Sequence, residues 1–161
     1  MKKLLVLTSL LLSALFMGSS FTPKKPVRQP VLIQITMHQQ NDHLWAKMTF
    51  SNHSGKPVYL NKLDIGLSPR LMNKFFIVTQ KGQEVPYTGV MVKRRPPTKD
   101  DFVVLAPGKR IRTSIRLDDS YALKAGTNRY SIQYRHYHGS PTDDTVFQEL
   151  LSKPYFFTYK P

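Results

Sequence analysis

"VLIQITMH" (31–38) and "LWAKMTFSN" (44–52) decide the fold. In the first, Val31, Ile33, Ile35 and Met37 fall on one face of a period-two pattern, and in the second Leu44, Ala46, Met48 and Phe50 do the same. Alternation of that kind marks a strand with one face in a core and one in water, and "NHSG" (52–55) ends the second run. Further short runs follow: "VYLNKLDI" (58–65), "KFFIVTQ" (74–80) closed by Lys81-Gly82, and "VPYTGVMV" (85–92). "DFVVLAPG" (101–108), "RIRTSIRL" (110–117), "NRYSIQYRHY" (128–137) and "PYFFTYK" (154–160) complete the series. Short strands at this spacing predict an all-β domain, an antiparallel sandwich or barrel.

Two details favour an immunoglobulin-like sandwich. A Pro-Gly turn in "LAPG" leads directly into the alternating strand Ile111, Thr113, Ile115, Leu117, and Tyr130 stands near the start of a late strand. A tyrosine there bonds back to the backbone at a corner between sheets. Ile33, Phe50, Val78, Val90, Ile115 and Ile132 are the expected core. The one helix candidate is "TDDTVFQELLSK" (142–153), capped by Thr142 or Asp143, with Val146, Leu150 and Leu151 as its apolar side.

Residues 1–20 read as a signal peptide. Lys2 and Lys3 precede the apolar run Leu4–Met17, and Gly18, Ser19 and Ser20 supply the small residues of a cleavage site. Residues 21–30, rich in Pro and Lys, read as an extended leader, and 31–161 as one β-sandwich domain. The protein is therefore expected outside the cytoplasm, periplasmic or secreted. It contains no cysteine, so its core alone must hold it. The formal net charge of +14 favours an anionic partner: lipid, polysaccharide or an acidic protein surface. Nucleic acid carries the same sign of charge but is not the expected partner.

Catalytic patterns are missing from the sequence: no H-E-x-x-H, no P-loop, no G-x-S-x-G and no cysteine nucleophile. The adjacent pairs Asp100-Asp101, Asp118-Asp119 and Asp143-Asp144 read as turn and capping residues. His136 and His138 alternate on one strand face, but a metal site needs a third or fourth ligand, so they read as exposed imidazoles at a strand end. Neither a cofactor nor a metal is expected, and no enzyme.

What stands out is "KRRPPTKDD" (93–101), between two apolar runs. Pro96 and Pro97 remove two backbone donors and fix their φ angles, and Arg95 is held extended by the proline after it. The result is a stiff segment carrying Lys93, Arg94, Arg95 and Lys99. Such a segment loses less entropy on docking than a floppy one. Lys93, Arg94, Arg95, Pro96, Pro97 and Lys99 are accordingly the candidate partner-binding residues, with the two arginines as anchors for acidic groups.

From Tyr59 to Tyr137 the chain resembles the N-terminal prodomain of deuterolysin-type (aspzincin) zinc metallopeptidases. The resemblance rests on "FFIVTQKGQEVPYTGVMVKRRPP" (75–97), "DFVVLAPGKRIRTSIRLDDSYAL" (101–123) and "RYSIQYR" (129–135), in that order, with Pro69-Arg70 ahead of them. The family's catalytic H-E-x-x-H helix and aspartate ligand have no counterpart in this sequence. The resemblance implies a prodomain-like, non-enzymatic module that binds a protein, an aspzincin-type metallopeptidase, as inhibitor or folding assistant. The alternative is a basic envelope protein that binds anionic lipid or polysaccharide.

Overall fold

A computed structural model describes residues 29–160 apart from 69, 125, 127 and 144–146. The expected signal peptide and almost all of the expected leader lie outside the described residues. In chain order the strands are β1 (Val31–Gln40), β2 (His43–Asn52), β3 (Val58–Asn61), β4 (Phe76–Gln80), β5 (Gln83–Glu84), β6 (Phe102–Leu105), β7 (Arg110–Arg116), β8 (Arg129–Gly139), β9 (Phe147–Leu151) and β10 (Tyr155–Thr158). A 3-10 turn, Lys99–Asp101, precedes β6.

β1 and β2 form one hairpin, in register from Val31↔Asn52 to Gln40↔His43. Asn41 and Asp42 both take positive φ, 50° and 62°, which these two side chains tolerate and which matches the twist of a two-residue hairpin turn. β7 joins the other edge of β2, giving a sheet of order β1-β2-β7. The facing sheet runs β10-β8-β4-β5, and β9 pairs with the far half of β8. β3 and β6 form a separate two-stranded ladder. The chain passes between the sheets after β2, before β7 and again before β8, the exchange that characterises immunoglobulin-like sandwiches.

The core lies where the two alternating faces meet. Ile33, Ala46, Met48, Phe50 and Ile115 come from one sheet and Phe76, Val78, Ile132 and Tyr134 from the other, all buried. Phe50 and Tyr134 meet edge to face at 5.4 Å. The expected corner is present: the Tyr130 hydroxyl accepts from the Lys124 N–H (2.9 Å) and donates to the Lys124 carbonyl (3.1 Å). Trp45 is half-buried on the outward face of β2, opposite Arg116.

Two expectations are corrected. The helix candidate 142–153 contains strand β9 instead, because β8 runs past the end of its pairing with β10 and offers an open edge, which Phe147–Leu151 fills. A ladder supplied by tertiary structure here overrides local helical periodicity. "VPYTGVMV" is not a strand either. Tyr87 makes one isolated bridge to Tyr121, and β5 already pairs the outer edge of β4. Val90, expected in the core, is therefore half in water at 51% exposure, whereas Ile33, Phe50, Val78, Ile115 and Ile132 are buried as expected.

Candidate protein-binding site

The site is built around a tight turn after β3. The Asn61 side chain accepts the Leu63 N–H, and its carbonyl accepts the N–H groups of Asp64 and Ile65. Gly66 closes the turn at φ +71°, where a Cβ would lie 2.0 Å from Ile115 Cδ1. This geometry holds Asp64 at the rim of the core, with a side chain only 8% exposed.

A buried carboxylate needs partners, and they arrive from distant parts of the chain. Arg94 Nη1 donates to Asp64 Oδ1 at 2.6 Å, and His136 Nε2 lies 3.3 Å from the same oxygen. Burial pushes the Asp64 carboxyl up, but the bonds and charges of His136 and Arg94 together outweigh it and hold the group below its ordinary value. Tyr134 donates its hydroxyl proton to the Asp64 carbonyl (3.0 Å), which leaves the hydroxyl oxygen to accept from His138 Nε2 at 2.6 Å. That network places the His138 proton on Nε2 and leaves Nδ1 buried without a partner among the described residues. Burial, then the neighbouring His136, push His138 down to about 4, so it is neutral in the folded protein.

This corrects the reading of the histidine pair: His138 is buried and His136 half-buried, not exposed. Among the described residues no three metal-ligating side chains come together. Asp144 lies outside those residues.

The segment singled out in the sequence runs beside this cluster. Arg94 is turned inward to Asp64, with 24% of its side chain exposed. Arg95 is exposed but forms a fork with Asp101, Nη1 to Oδ2 at 2.8 Å and Nη2 to Oδ1 at 3.1 Å, and also donates to the Pro96 carbonyl. Asp101 accepts in addition from the Thr98 N–H and hydroxyl. The Thr98 N–H and then Arg95 keep its carboxyl below the ordinary range. Lys93, Pro96, Pro97 and Lys99 are exposed, and neither lysine has an ion pair among the described residues. The structure thus brings Arg94, Arg95, Pro96 and Pro97 together on one cavity of about 740 Å³, opposite Tyr137 and Phe147 of the β8–β9 hairpin; Lys93 and Lys99 do not line it.

Sequence reasoning missed Asp64 altogether. The signal was thin: an aspartate in "NKLDIG", next to a glycine whose need for positive φ shows only in three dimensions. It also missed the run before the cations. Val90, Met91 and Val92 are 51%, 71% and 39% exposed, three consecutive apolar side chains in water. From residue 90 to residue 98 the chain forms no helix, ladder, turn or bend.

No family model matches this chain. It is 30% identical over 93 residues to a protein named "Extracellular protease" from Aeromonas hydrophila. The match takes up 58% of this chain and 26% of that protein, so the chain spans about a quarter of the relative's length. Over those residues the chain is similar to part of an extracellular protease.

Proposed function

We propose that the protein is an exported, non-enzymatic module that binds an extracellular protease, as its inhibitor or as an assistant in its folding. The observation that carries this reading is the similarity to part of an extracellular protease. The resemblance of residues 59–137 to a deuterolysin-type prodomain supports a metallopeptidase as the partner. Support also comes from the segment 90–99, which joins exposed apolar and cationic residues on a stiff, side-chain-braced stretch. The test is direct. The purified protein is added to the Aeromonas hydrophila extracellular protease with a fluorogenic peptide, and in parallel to the same protease during refolding from denaturant. Loss of peptidase activity in the first assay, or a raised yield in the second, is expected. No effect in either assay, with no complex on size-exclusion chromatography, contradicts the proposal.

A second reading has an observation of its own. The outward positions of β1, β2 and β7 carry Lys47, Arg110 and Arg112, which have no ion pair among the described residues, and Arg116, which is paired with Asp118. Such a face suits anionic lipid or polysaccharide. Retention on anionic vesicles that disappears as salt rises, with no protease binding, would favour it.

A further inference from the structure

We infer that Val90–Lys93 is a pseudo-substrate strand: it docks along the substrate cleft of an extracellular endopeptidase and occupies it competitively. This deepens the protease-binding reading and rests on it.

The backbone of this segment offers a free edge. In an extended chain the N–H and C=O of one residue point to the same edge, and successive residues alternate edges. The Tyr87 hydroxyl donates to the Val90 carbonyl at 2.6 Å, and the Val92 N–H donates to the Met72 carbonyl at 3.3 Å. Residues 90 and 92 therefore turn their polar groups toward the protein. Among the described residues Met91 and Lys93 make no backbone hydrogen bond, so their polar groups are free for a partner. A free strand edge of this kind is what a partner strand completes, with main-chain bonds giving affinity and pockets for alternate side chains giving specificity.

The side chains suit a cleft as well. Met91 is the most exposed large hydrophobic residue among those described, and it lies between two further exposed apolar residues. A folded chain gains nothing from leaving that run in water, so its use lies in a complex. Lys93 follows at once and is exposed, which suits a cleft with an acidic rim.

The segment is also braced on both sides. Upstream, Gly89 makes room for the Tyr87 ring: a Cβ there would lie 2.8 Å from the ring, displacing the hydroxyl that holds Val90. Downstream, Arg94 is tied to Asp64 and Arg95 to Asp101. The two arginines act as internal pins for the strand ahead of them. A strand held this way enters a cleft with little further loss of entropy.

The test measures inhibition of the Aeromonas hydrophila extracellular protease, at several concentrations of a fluorogenic peptide, by the parent protein and three variants. Met91→Pro removes the outward N–H, Met91→Asp keeps it but charges the side chain, and Leu32→Asp alters an exposed apolar residue elsewhere. Folding of each is checked by circular dichroism. Competitive inhibition by the parent is expected, weakened about 30-fold or more in both Met91 variants, as for a residue central to an interface, and unchanged in Leu32→Asp. Should Met91→Pro not fold, Met91→Asp alone decides. Inhibition by the parent that survives the Met91 changes, or that is not competitive, overturns the pseudo-substrate strand and leaves the inhibitor reading standing. Binding without inhibition also overturns it. A parent that neither binds nor inhibits overturns both.

Discussion

The β1–β2 hairpin and the segment 88–98 make a useful pair. Both contain apolar residues in strand-like runs, yet Val31, Ile33 and Ile35 are buried while Val90, Met91 and Val92 are not. The difference is in their neighbours. β2 has a ladder on both edges, β1 on one side and β7 on the other, and a second sheet over its inward face. The later segment joins no ladder among the described residues and is held through single hydrogen bonds and two ion pairs. One region is held by burial and the other by side-chain ties, so substitutions in the two should differ in kind.

The largest effect is expected in the sandwich. Phe50→Ala removes a fully buried ring from contact with Tyr134 and should cost about 3–5 kcal/mol in urea unfolding. A cost near zero would mean that the hairpin face is not the core. Asp64→Ala should come next. It strands the half-buried Arg94 and His136 and should cost about 3 kcal/mol, the lower end for breaking a buried pair. It should also loosen the segment, seen as faster proteolysis between residues 90 and 98.

A pH effect of similar or smaller size is predicted at the same cluster. His138, facing Tyr134, His136 and Asp64, is depressed from 6.5 to about 4 in the folded state. Above pH ~6.5 it is neutral whether the chain is folded or not, and there is no penalty. Between pH ~6.5 and about 4 the unfolded chain takes up a proton that the folded one refuses, so stability falls as pH falls, by at most about 3 kcal/mol. His138→Gln should flatten urea midpoints over that window. Asp64, depressed in its turn, keeps its contribution above the ordinary carboxylate range and loses it only as pH falls through its lowered value. Smallest of all is Met91→Ser, which should change stability by less than about 0.5 kcal/mol. A large loss there would show that the exposed run supports the fold.

The same contrast explains what the sequence made legible. Residues 31–52 declare their fold because period two runs through both strands and the turn signal NHSG closes the second. Tyr130 was readable for the same reason, since its bond to Lys124 spans only six residues. Asp64 was not, because its partners lie 30 and 72 positions away and only folding brings them together. Residues 147–151 were misread as helical because the edge of β8 that captures them is a tertiary feature. "YTGVMV" was misread as a buried strand because apolar character reports a wish for burial, not the presence of a surface to satisfy it. The cationic stretch was found, but the roles of its arginines as internal pins required the positions of Asp64 and Asp101.

The most direct test of the account is amide hydrogen exchange on the full protein, alone and mixed with the Aeromonas hydrophila extracellular protease. Alone, the amides of Met91 and Lys93 should exchange fast while those of β2 and β8 are protected. In the mixture, new protection should appear across residues 90–95 and leave the outward face of β1, β2 and β7 unchanged. Protection that falls instead on that basic face, with residues 90–95 still exchanging freely, would contradict the account.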